Sequence, residues 1–197
     1  MTSTNTPRPS NLPIVIIDTN IFGSLFDINS TKDTLAILVD LLKGHRLYVS
    51  KITMMEIISK GTKDISAIMK VFKAFALFEI DDDVLTFAGL MFFAGIRGHM
   101  DSIIASTAFL NNTLLLTANQ KDFPEPLFSE RFCWHVHYKD DNNRTKTDNI
   151  YLLSVNPENV GKKLQSIDYV KGLTNNPPPY ALPKIDQPTT LQQNTRK

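Results

Sequence analysis

Apolar residues fall along this chain in two rhythms. The run Ile14-Val15-Ile16-Ile17 is short, β-branched and unbroken, as expected of a strand buried on both faces in a parallel sheet. Residues 46–50, 77–80, 114–117, 131–137 and 150–155 read as further strands. Helical spacing fills the gaps. Residues 31–43 place Leu35, Leu38, Val39 and Leu42 on one stripe, with Gly44 as a stop. Residues 52–60 form a helix ended by Gly61, and residues 63–75 carry Ile65, Ile68, Met69 and Phe72 at helical spacing. Residues 83–96 form an apolar helix. Residues 101–112 put Ile104, Ala105 and Ala108 on one face, and residues 157–170 begin with a proline. Strands alternating with helices predict an α/β fold with a mostly parallel central sheet flanked by helices.

The rhythm stops at both ends. Residues 1–13 are rich in Ser, Thr, Asn and Pro and are expected to be disordered. Residues 14–138 make one α/β domain. Residues 139–149 are polar and charged and read as a loop. That loop opens a C-terminal extension, residues 139–174, with one strand and one helix. Residues 175–197 hold five of the eleven prolines and read as a disordered tail.

Composition changes this picture little. Of 197 residues, 42% are hydrophobic and 21% charged, as in ordinary globular chains. Twenty-one Lys and Arg against twenty Asp and Glu leave a formal net charge of +1, so any grip on phosphate must come from a local patch. A single cysteine, Cys133, favours a reducing compartment. Absence of an apolar run of membrane length, and of a leader-like start, makes the cytoplasm the expected location.

The chemistry lies in four acids. In an open parallel sheet, ligands sit beyond the carboxyl ends of the strands. Asp18 ends the first strand, Glu56 follows the second, Asp101 opens the helix that feeds the fourth, and Asp122 follows the fourth. Carboxylates gathered at one edge repel unless protons or cations compensate. A hard divalent ion such as Mg²⁺ needs few protein oxygens and suits phosphodiester hydrolysis. Singly, Asp101 reads better as a helix cap and Glu56 as an exposed helix residue.

The wording around the four acids is what distinguishes them. Ile16-Ile17-Asp18-Thr19-Asn20, Val49-Ser50-Lys51-Ile52-Thr53-Met54-Met55-Glu56-Ile57, Asp101-Ser102-Ile103-Ile104-Ala105-Ser106-Thr107-Ala108 and Leu116-Thr117-Ala118-Asn119-Gln120-Lys121-Asp122-Phe123 occur in that order. In these blocks the chain resembles PIN-domain nucleases and, among them, the VapC-type toxins of toxin–antitoxin pairs. The resemblance runs over roughly residues 14–138. It implies an endoribonuclease dependent on Mg²⁺ or Mn²⁺, with Asp18, Glu56, Asp101 and Asp122 as the metal-binding catalytic acids. Thr117 and Asn119 correspond to polar residues that orient the last acid, and Asn20 sits close enough to Asp18 to support it. The implied partners are an RNA substrate and a small antitoxin protein.

Lys51, Arg97, His99 and Lys121 are the cations nearest the acids and are candidates for RNA contact; Arg97 and His99 flank Asp101 in a Gly-bounded turn. Asp81-Asp82-Asp83 reads as acids before a helix start, and His135 and His137 as an ordinary strand face. The stretch from Val84 to Phe93 holds more apolar residues than one stripe needs, which points to a homodimer contact or a partner groove. Two rival readings stand beside the nuclease. A phosphatase with Asp18 as nucleophile usually carries a second Asp two residues on, where this chain has Asn20. A non-catalytic or RNA-processing PIN module would bind RNA or a protein partner.

Overall fold

The computed structural model describes residues 12–26, 31–59, 65–73, 75–139 and 142–167. The expectations for residues 1–11 and 175–197, and for the end of the helix at 168–170, fall outside these. Strand β1 (Ile14–Ile17) lies inside the sheet, and Val15, Ile16 and Ile17 are wholly buried. Burying such side chains stabilises the fold by about 1.5–3 kcal/mol each. Helix α1 (Thr19–Phe26) follows at once and was not anticipated. It is short and contains Gly23, so its propensity signal is weak; fully buried Ile21 and Phe22 hold it to the core.

Helix α2 (Thr31–Gly44) leads to β2 (Arg46–Ser50) and α3 (Lys51–Ser59). The expected α2 stripe needs correction: Leu38 and Leu41 are buried, whereas Val39 is 48% exposed. Helix α4 (Ile65–Phe72) is shorter than expected, and it buries Phe72 while leaving Ile65 and Met69 largely in solvent. After β3 (Ala76–Phe78) comes α5 (Asp82–Ala94), capped by Asp81, whose carboxylate accepts from the Val84 N–H at 2.9 Å. Helix α6 (His99–Leu110) starts two residues before the expected point, so Asp101 sits in its first turn and Gly98 is the N-cap. Strand β4 (Leu114–Thr117) has the expected bounds.

Strand β5 (Phe128–Lys139) and strand β6 (Thr145–Val155) form a long hairpin, and helix α7 (Pro157–Gln165) closes the described chain. The sheet order is β3-β2-β1-β4-β6-β5. The first four strands are mutually parallel; β6 is antiparallel to both β4 and β5. The loop expected at 139–149 is therefore corrected: residues 145–149 are strand. They are polar and pair only with β5, so no apolar rhythm marks them, yet the ladder includes cross-strand bonds from His135 to Asn149 (2.9 Å) and His137 to Thr147 (2.8 Å). Strand β6 also inserts between β4 and β5, so a boundary at 138 falls inside β5 and the following strand belongs to the same sheet.

One core layer gathers Ile16, Leu115 and Leu153 with Phe87 and Met91 of α5, Ile104 of α6 and Leu164 of α7. The other gathers Val15, Ile17, Leu116 and Leu152 with Phe22 of α1 and Leu38 of α2. No described helix is long and apolar enough to cross a membrane.

Candidate active site

Asp18 leaves the sheet with its backbone still in register, its N–H donating to the Leu116 carbonyl at 2.9 Å. The residue is 2% exposed. Three donors converge on its carboxyl group: the Thr19 N–H at 2.6 Å on Oδ1, and the Asn20 amide at 2.5 Å and the Thr117 hydroxyl at 2.7 Å on Oδ2. Asn20 also spans to β4: its amide nitrogen reaches the Thr117 hydroxyl at 3.1 Å, and its Oδ1 accepts from the Ala118 N–H at 2.8 Å. The first and fourth strands are thus tied at their carboxyl ends by side chains from both.

Glu56 lies on α3. The Thr19 hydroxyl donates to Glu56 Oε2, while the Thr19 N–H holds Asp18. Thr19 therefore bridges the first two acids. Its importance was missed in the sequence, although it stands inside the Asp18-Thr19-Asn20 run; nothing local shows a hydroxyl reaching a partner 37 positions away.

Asp101 comes from the first turn of α6, where negative charge complements the helix dipole. It is not the N-cap, contrary to the expectation that it opens the helix. Its carboxylate folds back over Gly98: a Cβ added to Gly98 would lie 1.8 Å from Asp101 Oδ2. Only glycine leaves room for that placement, a second requirement unnoticed in the sequence. The Ser102 N–H and hydroxyl both donate to the Gly98 carbonyl at 2.8 Å, which keeps the turn closed.

Electrostatics bind these three acids together. Burial, more than any other cause, pushes the Asp18 carboxyl up to about 7 from 3.8; the Thr117 hydroxyl and the Thr19 amide pull it down, and the negative charges of Asp101 and Glu56 push it up. Asp122 is not among the charges that raise Asp18. It sits in a 3-10 turn, Gln120–Asp122, and the Asn119 amide donates to its Oδ2. Thr117, expected to orient this last acid, instead serves Asp18; it reaches the outer turn only by accepting from the Asn119 N–H at 3.0 Å.

The four candidate cations divide. Lys51 is paired with Glu79 at 2.5 Å. His99 is stacked on Phe92, ring centroids 4.7 Å apart. Arg97 and Lys121 are exposed and line a common surface cavity.

The oxygen donors suit a hard cation and no soft one. Among the described residues no three Asp, Glu, His or Cys side chains are gathered as a ready ligand set. Mg²⁺ keeps several waters and needs only one or two carboxylates directly, so the three mutually repelling acids fit it.

A buried aspartate at the carboxyl edge of a mostly parallel sheet, with two further acids acting on it, marks an α/β protein with an acidic edge. The chain belongs to the PIN domain family, whose model matches residues 15–126. Among solved structures, it is similar to a toxin–antitoxin complex from Klebsiella pneumoniae, at 24% identity over 57% of this chain and 92% of that one, with a TM-score of 0.51. It is also similar to VapBC2 from Rickettsia felis bound to a DNA fragment from its promoter, at 24% identity over 56% of this chain and 90% of that one, with a TM-score of 0.48. At such identity the likeness to the Klebsiella pneumoniae complex speaks for the fold alone. No curated protein matches the chain.

Proposed function

We propose that this protein is a metal-dependent endoribonuclease with Asp18, Glu56, Asp101 and Asp122 as its acids, and that it acts as the toxin of a toxin–antitoxin pair. The observation that carries the nuclease reading is the buried Asp18, whose carboxyl is raised by burial and by two neighbouring acids. A folded protein keeps such a group when a counter-charge completes it in use. A bound Mg²⁺ or Mn²⁺ supplies that charge and the activation of water that phosphodiester hydrolysis needs. Asn20, Thr19 and Thr117 hold Asp18, and Asn119 holds Asp122. PIN domains are generally nucleases.

The toxin reading rests on the resemblance to VapC-type proteins and on the toxin–antitoxin complex that shares the fold. A small antitoxin would cover the acidic edge and offer it a cation. The surplus apolar residues of α5 support a protein contact too: Leu85, Phe92 and Phe93 are 50%, 39% and 61% exposed. A homodimer through this helix is the arrangement it favours. The cytoplasm, where RNA and a reduced Cys133 coexist, is the proposed location.

Labelled single-stranded RNA should be cut with Mg²⁺ or Mn²⁺ to leave 3′-hydroxyl and 5′-phosphate ends, and chelator should stop it. Undiminished cutting in excess chelator would overturn the metal mechanism. A purified protein that cuts no RNA with either metal would overturn the nuclease reading. Co-expression with the product of a small adjacent gene should relieve growth arrest; expression that does not slow growth removes the toxin role and leaves the nuclease.

A further inference from the structure

Four histidines occur in the chain, and two of them stand together. His135 and His137 are alternate residues of β5, so their side chains leave the same face of the strand, about 6.6 Å apart along it. Both are exposed. The ladder between β4 and β6 ends where Thr117 meets Tyr151, whereas His135 pairs with Asn149 and His137 with Thr147. The two imidazoles therefore sit on a two-stranded arm that runs past the carboxyl end of β4, outside the residues 15–126 that the family model matches. The arm's outer strand, β5, is the edge of the sheet. The other two histidines stand elsewhere: His45 precedes β2, and His99 is stacked on Phe92.

Each ring of the pair is held by β6. His135 Nδ1 lies 2.9 Å from Asn149 Oδ1, and His137 Nδ1 lies 2.8 Å from the Thr147 hydroxyl. Asn149 is oriented in turn, because its amide nitrogen donates to the Tyr151 hydroxyl at 2.9 Å. Its Oδ1 can only accept, so the His135 ring carries a proton on Nδ1, and the neutral ring keeps its lone pair on Nε2. The Thr147 hydroxyl can accept from His137 in the same way. Among the described residues neither Nε2 has a partner. A ring with Nδ1 committed to an oxygen and Nε2 open is the arrangement of a metal-ligating histidine.

Imidazole nitrogen suits Zn²⁺, whereas Mg²⁺ takes oxygen, so the pair differs in chemistry from the acidic edge. Two nitrogens fill half of a tetrahedral site. Among the described residues no third His, Cys, Asp or Glu joins them. An edge strand is open to a second copy of the chain, and a two-fold axis through the ion would present the same pair again.

We propose that His135 and His137 from two copies of this chain hold one Zn²⁺ between their β5 strands, four Nε2 atoms completing a tetrahedral site. Asn149 and Thr147 are positioning residues that set the ring tautomers. The bridge uses none of the four acids and does not rest on the nuclease reading.

Full-length wild type, His135→Ala, His137→Ala, Asn149→Ala, Asn149→Asp and the control His45→Ala would be titrated with Zn²⁺ by calorimetry and sized by light scattering, with roughly 10 mM Mg²⁺ present to occupy oxygen donors. Wild type and His45→Ala should take up one Zn²⁺ per two chains and at least double in molar mass, and chelator should reverse both changes. Either histidine variant should lose the uptake and the rise in mass. Asn149→Ala keeps both ligands but releases the His135 ring, and should bind Zn²⁺ about 10-fold more weakly. Asn149→Asp retains an acceptor for Nδ1 and should restore the affinity. Wild type that takes up no Zn²⁺, or that takes up one per chain at unchanged mass, would overturn the proposal, as would full uptake by both histidine variants.

Discussion

The two ends of the acidic site are built differently. At the inner end, Asp18 is buried, three donors reach its carboxyl, and Thr19 ties it to Glu56. At the outer end, Asp122 is half-buried in a 3-10 turn and takes its hydrogen bond from the exposed Asn119. The inner acid is placed by the sheet itself, directly after a strand whose last three residues are fully buried. The outer acid is placed by a turn that owes little to the core. The two acids therefore differ in what holds them: the sheet and three donors in one case, a single turn and one amide in the other.

The largest expected effect is on cleavage. Asp18→Asn should lower the rate by about 10³-fold, the scale of losing a main electrostatic group in the transition state. Asp122→Asn should lose about 10-fold less. Single-turnover rates with Mn²⁺ test this, and equal losses would break the inner–outer distinction.

A second contrast appears in metal-free stability against pH. The Asp18 carboxyl titrates near 7 when folded and near 3.8 when unfolded. Between those values the unfolded chain has released a proton that the folded protein keeps. The contribution of Asp18 to stability is therefore greatest below pH 4 and falls as pH rises to about 7, by roughly 1.4 kcal/mol per unit at most and a few kcal/mol in all. Melts in chelator from pH 4 to 8 should show that fall in wild type and a flatter profile in Asp18→Asn. Matching profiles in the two proteins would mean that Asp18 is not the group responsible.

Gly98→Ala sharpens the role of Asp101. The new methyl would occupy the place of Oδ2, and a carboxylate at the end of a side chain can swing away cheaply. Cleavage should fall about 10- to 100-fold, by misplacement of a catalytic group. The melting temperature in chelator should hardly move, while the stabilisation by Mn²⁺ shrinks. A protein that melts much earlier yet keeps its Mn²⁺ response would assign Gly98 to folding alone.

The smallest contrast is between the two holding residues. Thr19→Val removes a buried hydroxyl that serves Glu56 and should cost about 1–3 kcal/mol by denaturant unfolding. Asn119→Ala acts at the surface and should stay within about 0.5 kcal/mol. Equal costs would show that the outer turn is as firmly built as the inner pair.

Much of this was legible in the chain. The unbroken apolar run at β1 declares a buried parallel strand, because only a sheet covered on both faces tolerates such continuity, and β2 and β4 read as further strands. The acids at the ends of those strands followed, since strand order brings their carboxyl ends to one edge. Strand β6 was half-hidden: residues 145–149 are polar, and what makes them strand is a ladder to β5 and not an apolar face. Helix α1 was hidden because burial of Ile21 and Phe22, not propensity, holds it.

The sequence by itself determined the layered α/β class and the local wording that marks the family. Only tertiary structure decided that Thr117 serves Asp18 and not Asp122, that Thr19 joins Asp18 to Glu56, that Asp101 needs the space over Gly98, and that Arg97 and Lys121 share a cavity. The physical reason is range. Burial periodicity and turn chemistry act over a few residues and leave a trace in the order of the chain, whereas a hydroxyl donating to a carboxylate 99 positions away leaves none.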